Sequence, residues 1–362
     1  MKIRIYIGIF ALFLSAELYG QRNDEIQFTD ASRLTITGKA LSTAVVYHRV
    51  DTAVYKGLSP SENQQARCAA GLAVLFKTNA NRIDLWPVYQ WELQKDNRSG
   101  IAAAGFSLYI KKENRWVYAQ SWAPPVRNEA FTLIHSMDST DKECMLYLPP
   151  FSELSDLKIG IPAGATIEAL PNPFKRKIVF FGSSFTQGVG ASRPGMSYPM
   201  QIGRNRNIEA CNLGFGGNSK LQDYFARVIA ATDADAFVFD AFSNPTDLII
   251  RERLATFIEI IQKKHNQTPL IFVQTIHREG ANFNRTVRTA EDKKRKTVEE
   301  LMQEMVRKYP NVYWVESPLS ESISRDTSTD GVHPSDLGYR YWAKNMEKQL
   351  HLILAWEETF YE

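Results

Sequence analysis

The chain has 362 residues, 44% hydrophobic and 23% charged, with 43 basic against 40 acidic side chains and a net charge of +3. That composition excludes collagen-like, coiled-coil and largely disordered chains, and charges so nearly balanced exclude the basic field that nucleic-acid binding needs. At about 150 residues per domain the length predicts two domains, each large enough for its own core.

The first twenty residues read as a cleavable secretory signal. Lys2 and Arg4 make the positive end, an apolar run covers 5–14, and small Ala16 and Gly20 precede Gln21. The run is too short to span a bilayer, so no stable membrane anchor is expected and the chain reads as secreted or periplasmic. Three cysteines follow, Cys68, Cys144 and Cys211. An odd number leaves at least one thiol free even in an oxidising compartment. Without a CxxC pair or a Cys/His ligand spacing, no structural zinc is expected. All three read as buried apolar thiols.

From 27 to 167 the chain repeats short alternating stretches. Leu34 and Ile36 alternate with Thr35 and Thr37; Phe106, Leu108 and Ile110 alternate with Ser107 and Tyr109; Leu157, Ile159 and Ile161 alternate with Lys158 and Gly160. Period-2 runs between turn-rich segments predict an antiparallel, jelly-roll-like β-sandwich over 21–170, with no helix in this half. The proline-bearing stretch 162–175 reads as a linker or a domain-crossing strand. Compact apolar strands are then expected at 177–181, 208–212, 236–240, 270–274 and 312–315. Ile250, Leu254, Phe257, Ile258 and Ile261 share one helix face, as do Tyr339, Trp342, Ala343, Met346 and Leu350. Strand–helix alternation predicts an α/β domain over 171–362, with a parallel sheet covered on both faces.

Ligands of open parallel sheets bind at the carboxyl ends of the strands, so the residues just past each strand are the place to look for chemistry. They are Gly182-Ser183-Ser184, then Gly214-Phe215-Gly216-Gly217-Asn218, then Ser243-Asn244-Pro245, and near the end Asp330-Gly331-Val332-His333. Those parts suffice for acyl transfer. A serine hydroxyl needs a base, a histidine is the usual one, and that histidine needs an acceptor on its other nitrogen. Asp330 can reach back to His333 across a tight turn. The N–H groups of Ser184 and Gly217 and the amide of Asn244 are candidate oxyanion donors.

In this order and spacing the four blocks resemble the SGNH (GDSL-type) hydrolase family over roughly 176–350, and the first half resembles the domain that precedes some bacterial SGNH esterases. The resemblance implies a flavodoxin-like catalytic domain, with Ser184 as nucleophile, Gly217 and Asn244 as oxyanion donors, Asp330 and His333 completing the triad, and no cofactor or metal. Ser183 stands where the family has the Asp of its GDS triplet, a group outside the catalysis. Ser243-Asn244-Pro245 stands for Gly-Asn-Asp, which leaves Asn212 and Asn218 as alternative donors; Gly216 is the alternative to Gly217.

The sequence therefore reads as an exported serine esterase acting on short acyl esters, acetyl on carbohydrate foremost, with an acylated small molecule or glycan as its partner. An acyltransferase using the same triad and a non-catalytic carbohydrate-binding protein are the other readings. His277 reads as a solvated rim residue with substrate contact as the alternative. The run Lys293–Lys296 reads as a charged helix face. Trp86, Tyr89, Trp91 and Trp122 read as sandwich packing, with a sugar platform as the alternative. Gly182–Gly188 lacks the Lys-Ser/Thr ending of a phosphate loop, and Ser184 lacks a G-x-S-x-G frame.

Overall fold

The computed structural model describes residues 25–93, 95–98, 100–323 and 325–356; the expected signal sequence lies outside them. Strands dominate the first half: β1 (Ile26–Asp30), β2 (Thr35–Thr37), β3 (Ala73–Thr78), β4 (Ile83–Glu92), β5 (Phe106–Lys112), β6 (Arg115–Trp122), β7 (Phe131–Ile134), β8 (Lys142–Tyr147), β9 (Ser152–Pro162) and β10 (Ile167–Ala169). They form two antiparallel sheets, one in the order β1-β9-β4-β7 and one in the order β10-β3-β8-β5-β6, with β2 also on β3. Val74, Phe76, Leu85, Phe106, Leu108, Leu146, Leu154 and Ile159 pack in the core of this sandwich. The proline-bearing stretch is thus partly a strand: β10 pairs with β3 through Ile167–Thr78 and Ala169–Phe76.

Two features depart from the alternation. Helix α1 (Pro60–Arg67) stands where no helix was expected. It starts on a reciprocal cap, in which Glu62 N–H donates to Ser59 Oγ at 3.4 Å and Ser59 N–H donates to Glu62 Oε2 at 2.7 Å. Ser-Pro-Ser-Glu is a start signal, but the eight residues carry no apolar stripe for a periodicity search to find. A short α2 (Ile101–Ala104) follows β4. The second sheet is also buried on its outward face. Ala73, Leu75, Tyr109, Met145 and Tyr147 share a core with Ile178, Phe180, Met200, Ile202 and Trp342 of the other half. A face covered by protein carries no polar alternation, which is why Tyr109, expected outward, is 3% exposed.

The second half is a parallel sheet of β11 (Lys177–Gly182), β12 (Glu209–Gly214), β13 (Ala236–Asp240), β14 (Leu270–Val273) and β15 (Val312–Val315), in the order β12-β11-β13-β14-β15. Helices α3 (Ser184–Gln187), α4 (Tyr198–Arg206), α5 (Asp223–Ala230), α6 (Asp247–Gln262), α7 (Arg285–Lys308) and α8 (Asp336–Leu354) connect and cover it. The stripes expected on α6 and α8 are buried as predicted: α4 and α8 cover one face of the sheet, and α5, α6 and α7 the other. The order reverses at β11, whose two neighbours are β12 and β13. A flavodoxin-like sheet opens its ligand crevice at such a reversal. Among the described residues no helix is long and apolar enough to cross a membrane. Cys68, Cys144 and Cys211 are buried and unbonded to one another. Burial pushes the Cys68 and Cys144 thiols up to about 12.

Candidate active site

Ser184 opens α3 directly beyond β11, and Ser183 caps the helix. His333 and Asp330 lie on the loop before α8. Nε2 of His333 is 3.0 Å from Ser184 Oγ, and its Nδ1 is 2.8 Å from Asp330 Oδ2. A carboxylate only accepts, so Nδ1 carries the ring proton and Nε2 is left to accept from the serine. Asp330 Oδ1 takes the N–H groups of Val332 and His333 at 3.0 and 2.8 Å. Partial burial would raise this carboxyl, but the Asn97 amide and the His333 N–H and ring outweigh it and hold it well below the usual range. Burial lowers His333, the Asp330 hydrogen bond and charge oppose it, and the positive charges of Arg278 and Arg98 add to the lowering.

This sets a pH dependence. An imidazole can take the Ser184 proton only when neutral, so any kcat/KM that depends on His333 rises with pH through its pKa. Because burial lowers that pKa from its ordinary 6.5, the acid limb of the profile is expected to have its midpoint below 6.5. A midpoint above 7 in a kcat/KM–pH series would contradict this electrostatic account.

The glycine-rich turn after β12 passes against Ser184. A Cβ on Gly216 would lie 3.3 Å from Ser184 Cβ, whereas Gly217, at φ +76°, faces open space. The Gly216 N–H donates to Gln187 Oε1 at 3.0 Å, so that donor is occupied. Asn244, past β13, donates to Ser219 Oγ at 3.0 Å and to Phe215 O at a longer 3.3 Å. The alternatives are engaged elsewhere: Asn212 Nδ2 donates to Thr186 O, and Asn218 Nδ2 to Ser61 Oγ and Gln65 Oε1.

Several supporting residues were missed by the sequence reading. Asp240 ends the apolar strand β13, fully buried, and its Oδ2 accepts Ser183 N–H at 3.1 Å, Ser183 Oγ at 2.6 Å and Thr186 Oγ1 at 3.2 Å. Its Oδ1 accepts from Ser243, beside Asn244. A carboxylate from the neighbouring strand thus lies against Ser183, and a charged residue closing an apolar strand was the signal for it. Glu279 accepts from the backbone and hydroxyls of both Thr327 and Ser328, which braces the loop holding Asp330. Arg49, 1% exposed, donates to Cys68 O, Gln65 O, Asn212 O and Gly214 O. Gln65 Nε2 donates to Gly216 O at 2.8 Å. The sandwich half thus holds the glycine turn.

Other expectations are corrected. His277 is not a rim residue: it is 7% exposed, with Nε2 2.7 Å from Asn282 Oδ1. Within the basic run Lys293 is exposed and pairs with Asp247, but Lys294 is buried against Glu291 and the Ser243 carbonyl. Of the aromatics read as sandwich packing, Tyr89 is buried with its hydroxyl on Ala104 O, whereas Trp86 and Trp122 are exposed and stand on different sheets, so they form no single platform. Trp86 stands edge-on to Phe28.

Residues 175–351 match the GDSL-like lipase/acylhydrolase family, and residues 26–167 match the N-terminal region of SGNH-hydrolase-type esterases. A GDSL-like lipase from Bacteroides ovatus is 34% identical, with a TM-score of 0.88 over 92% of this chain and 99% of that one. The chain belongs to the GDSL-like lipase/acylhydrolase family. This GDSL hydrolase is therefore an ester-cleaving enzyme. It also shares its fold with a salicylyl-acyltransferase from a tetracycline biosynthetic pathway, at 17% identity and a TM-score of 0.71 over 91% of this chain and 97% of that one. A family two carbohydrate esterase from Clostridium thermocellum, in complex with cellohexaose, is 14% identical, with a TM-score of 0.60 over 80% and 94%. No curated protein matches the chain in sequence.

Proposed function

We propose that this protein is an exported serine esterase that removes short acyl groups, acetyl foremost, from carbohydrate. The observation that carries the chemistry is the unbroken relay from Ser184 Oγ through His333 to Asp330 at 3.0 and 2.8 Å. Ser184 Oγ attacks the ester carbonyl as His333 Nε2 takes its proton, and Asp330 steadies the imidazolium. The oxyanion is met by the N–H groups of Ser184 and Gly217 and by the Asn244 amide, which exchanges its long bond to Phe215 O for the substrate. Gly217 is preferred to Gly216 because the Gly216 N–H already serves Gln187. The intermediate collapses, His333 protonates the departing alcohol, and a water activated by the same histidine hydrolyses the acyl-enzyme.

The carbohydrate substrate is supported by structural likeness to the cellohexaose-bound esterase and to an acetyl xylan esterase from Butyrivibrio proteoclasticus. Export is supported by Lys2, Arg4 and the apolar run that follows, and the boundary near residue 170 by the two family matches on either side. The likeness to an acyltransferase favours a second reading, in which a bound alcohol replaces water. Hydrolysis of p-nitrophenyl acetate, butyrate and octanoate and of acetylated xylan, with and without added alcohol, separates the two. The proposal predicts fastest release from acetate, acetate liberated from the xylan and little acyl transfer. Preference for octanoate, or transfer exceeding hydrolysis, would overturn it.

A further inference from the structure

The acid of the relay has a partner that the catalytic half does not supply. Beyond β4 the chain turns tightly, with the Lys95 N–H on Arg98 O at 3.1 Å and the Arg98 N–H on Lys95 O at 2.9 Å. At this tip Asn97 Nδ2 donates to Asp330 Oδ2 at 2.8 Å, and the backbone carbonyl of Asn97 accepts from Gly190 N–H at 3.3 Å. The tip is thereby tied to the segment after the nucleophile helix and to the acid loop.

We propose that Asn97 is a positioning residue for the catalytic acid, through which the sandwich half takes part in the reaction. The inference rests on the reading of Ser184, His333 and Asp330 as a triad. Asp330 Oδ1 is held by its own loop, through the N–H groups of Val332 and His333. Oδ2, the oxygen that faces the His333 ring, is held from outside only by Asn97 among the described residues. The Asp330 side chain is 31% exposed, and its own turn engages Oδ1 and leaves Oδ2 to His333 and Asn97. Only the nitrogen end of an amide can face a carboxylate. Asn97 Oδ1 is buried without a hydrogen-bond partner among the described residues, so no contact on that side competes to turn the amide over.

Asn97 acts on the base as well as on geometry. A donor on Oδ2 draws charge from the bond to His333 Nδ1, so removing it strengthens the hold on the imidazolium and moves the titration of His333 upward. The other groups acting on that ring are Asp330 itself, Arg278 from the segment after β14 and Arg98 from the same tip, with the Phe185 ring edge-on to it from α3.

Asn97→Ala and Asn97→Leu test this in the full chain. Both remove the donor, and Leu retains the bulk, so a loss confined to Ala is a packing effect and overturns the proposal. The expected result is a fall in kcat of about 10-fold or more on p-nitrophenyl acetate in both variants, as misplacement of a catalytic group gives, with KM little changed. The His333 ring titration, followed by NMR, is expected to move up in both. In the unaltered protein the Asn97 side-chain amide resonance is expected to follow that titration. Wild-type kcat and an unmoved His333 titration in the variants, or an Asn97 resonance indifferent to it, would overturn the assignment. The NMR readouts need no substrate. If the unaltered protein cleaved no ester, the proposed function would fail while these readouts still decided the role of Asn97.

Discussion

Replacing Ser184 by alanine is expected to lower ester turnover by about 10⁴–10⁶-fold, the loss seen when a serine nucleophile is removed from a triad, while leaving the protein folded. Among the described residues Ser184 Oγ hydrogen-bonds to His333 alone. What remains after the substitution is the oxyanion pocket and the binding cleft, which leave a residual rate over water. Asn244→Ala is a graded companion: a single oxyanion donor is worth about 10²–10³ in kcat, so it is expected to fall between the wild type and Ser184→Ala. Steady-state rates on p-nitrophenyl acetate, with circular dichroism to establish folding, check both. Equal rates for the wild type and Ser184→Ala would remove the serine from the mechanism.

Arg49→Met is expected to have the largest effect on stability. The guanidinium lies fully inside the protein, and burial pushes its pKa down to about 10, so it remains charged at neutral pH. Its partners are four backbone carbonyls, two at the end of α1 and two at the end of β12, with the Phe215 ring 5.1 Å from the guanidinium carbon. The α1 carbonyls are the negative end of that helix, which favours a cation there. Methionine fills much of the volume but donates nothing. Each buried carbonyl left without a partner costs about 1–3 kcal/mol, against a net stability of about 5–15 kcal/mol for a folded domain. Arg49→Met is thus expected to be insoluble or to melt far below the wild type, and any folded fraction to lose activity because the Gly214–Gly217 turn is no longer held. A melting temperature within a few degrees of the wild type would show that the turn does not depend on this arginine.

The residues of the proposed triad were legible because they fall in short local patterns. Asp330 and His333 are three residues apart, and Ser184 follows a compact apolar strand. The sheet was legible for the same reason: strands buried on both faces are short apolar runs, and α6 and α8 carry apolar stripes. What could not be read is whatever depends on the two halves meeting. Tyr109 was placed outward by alternation, yet the outward face of its sheet is covered by α4 and α8. Arg49 and Asn97 are ordinary polar residues in loops, separated from their partners Asn212 and Asp330 by 163 and 233 positions, and no period or motif encodes such contacts. Asp240 and α1 lie between these extremes. A charge closing an apolar strand and a Ser-x-x-Glu cap are local signals, and a search ordered by hydrophobic period passes over both.

The most direct test of the account is covalent. Diethyl p-nitrophenyl phosphate, incubated with the full protein, transfers its diethylphosphoryl group to an activated serine oxygen with release of p-nitrophenolate. The account predicts one adduct per chain on the peptide containing Ser184, loss of esterase activity in step with labelling, and no adduct in Ser184→Ala. A label on another residue with activity preserved, or undiminished ester hydrolysis by Ser184→Ala, would contradict it.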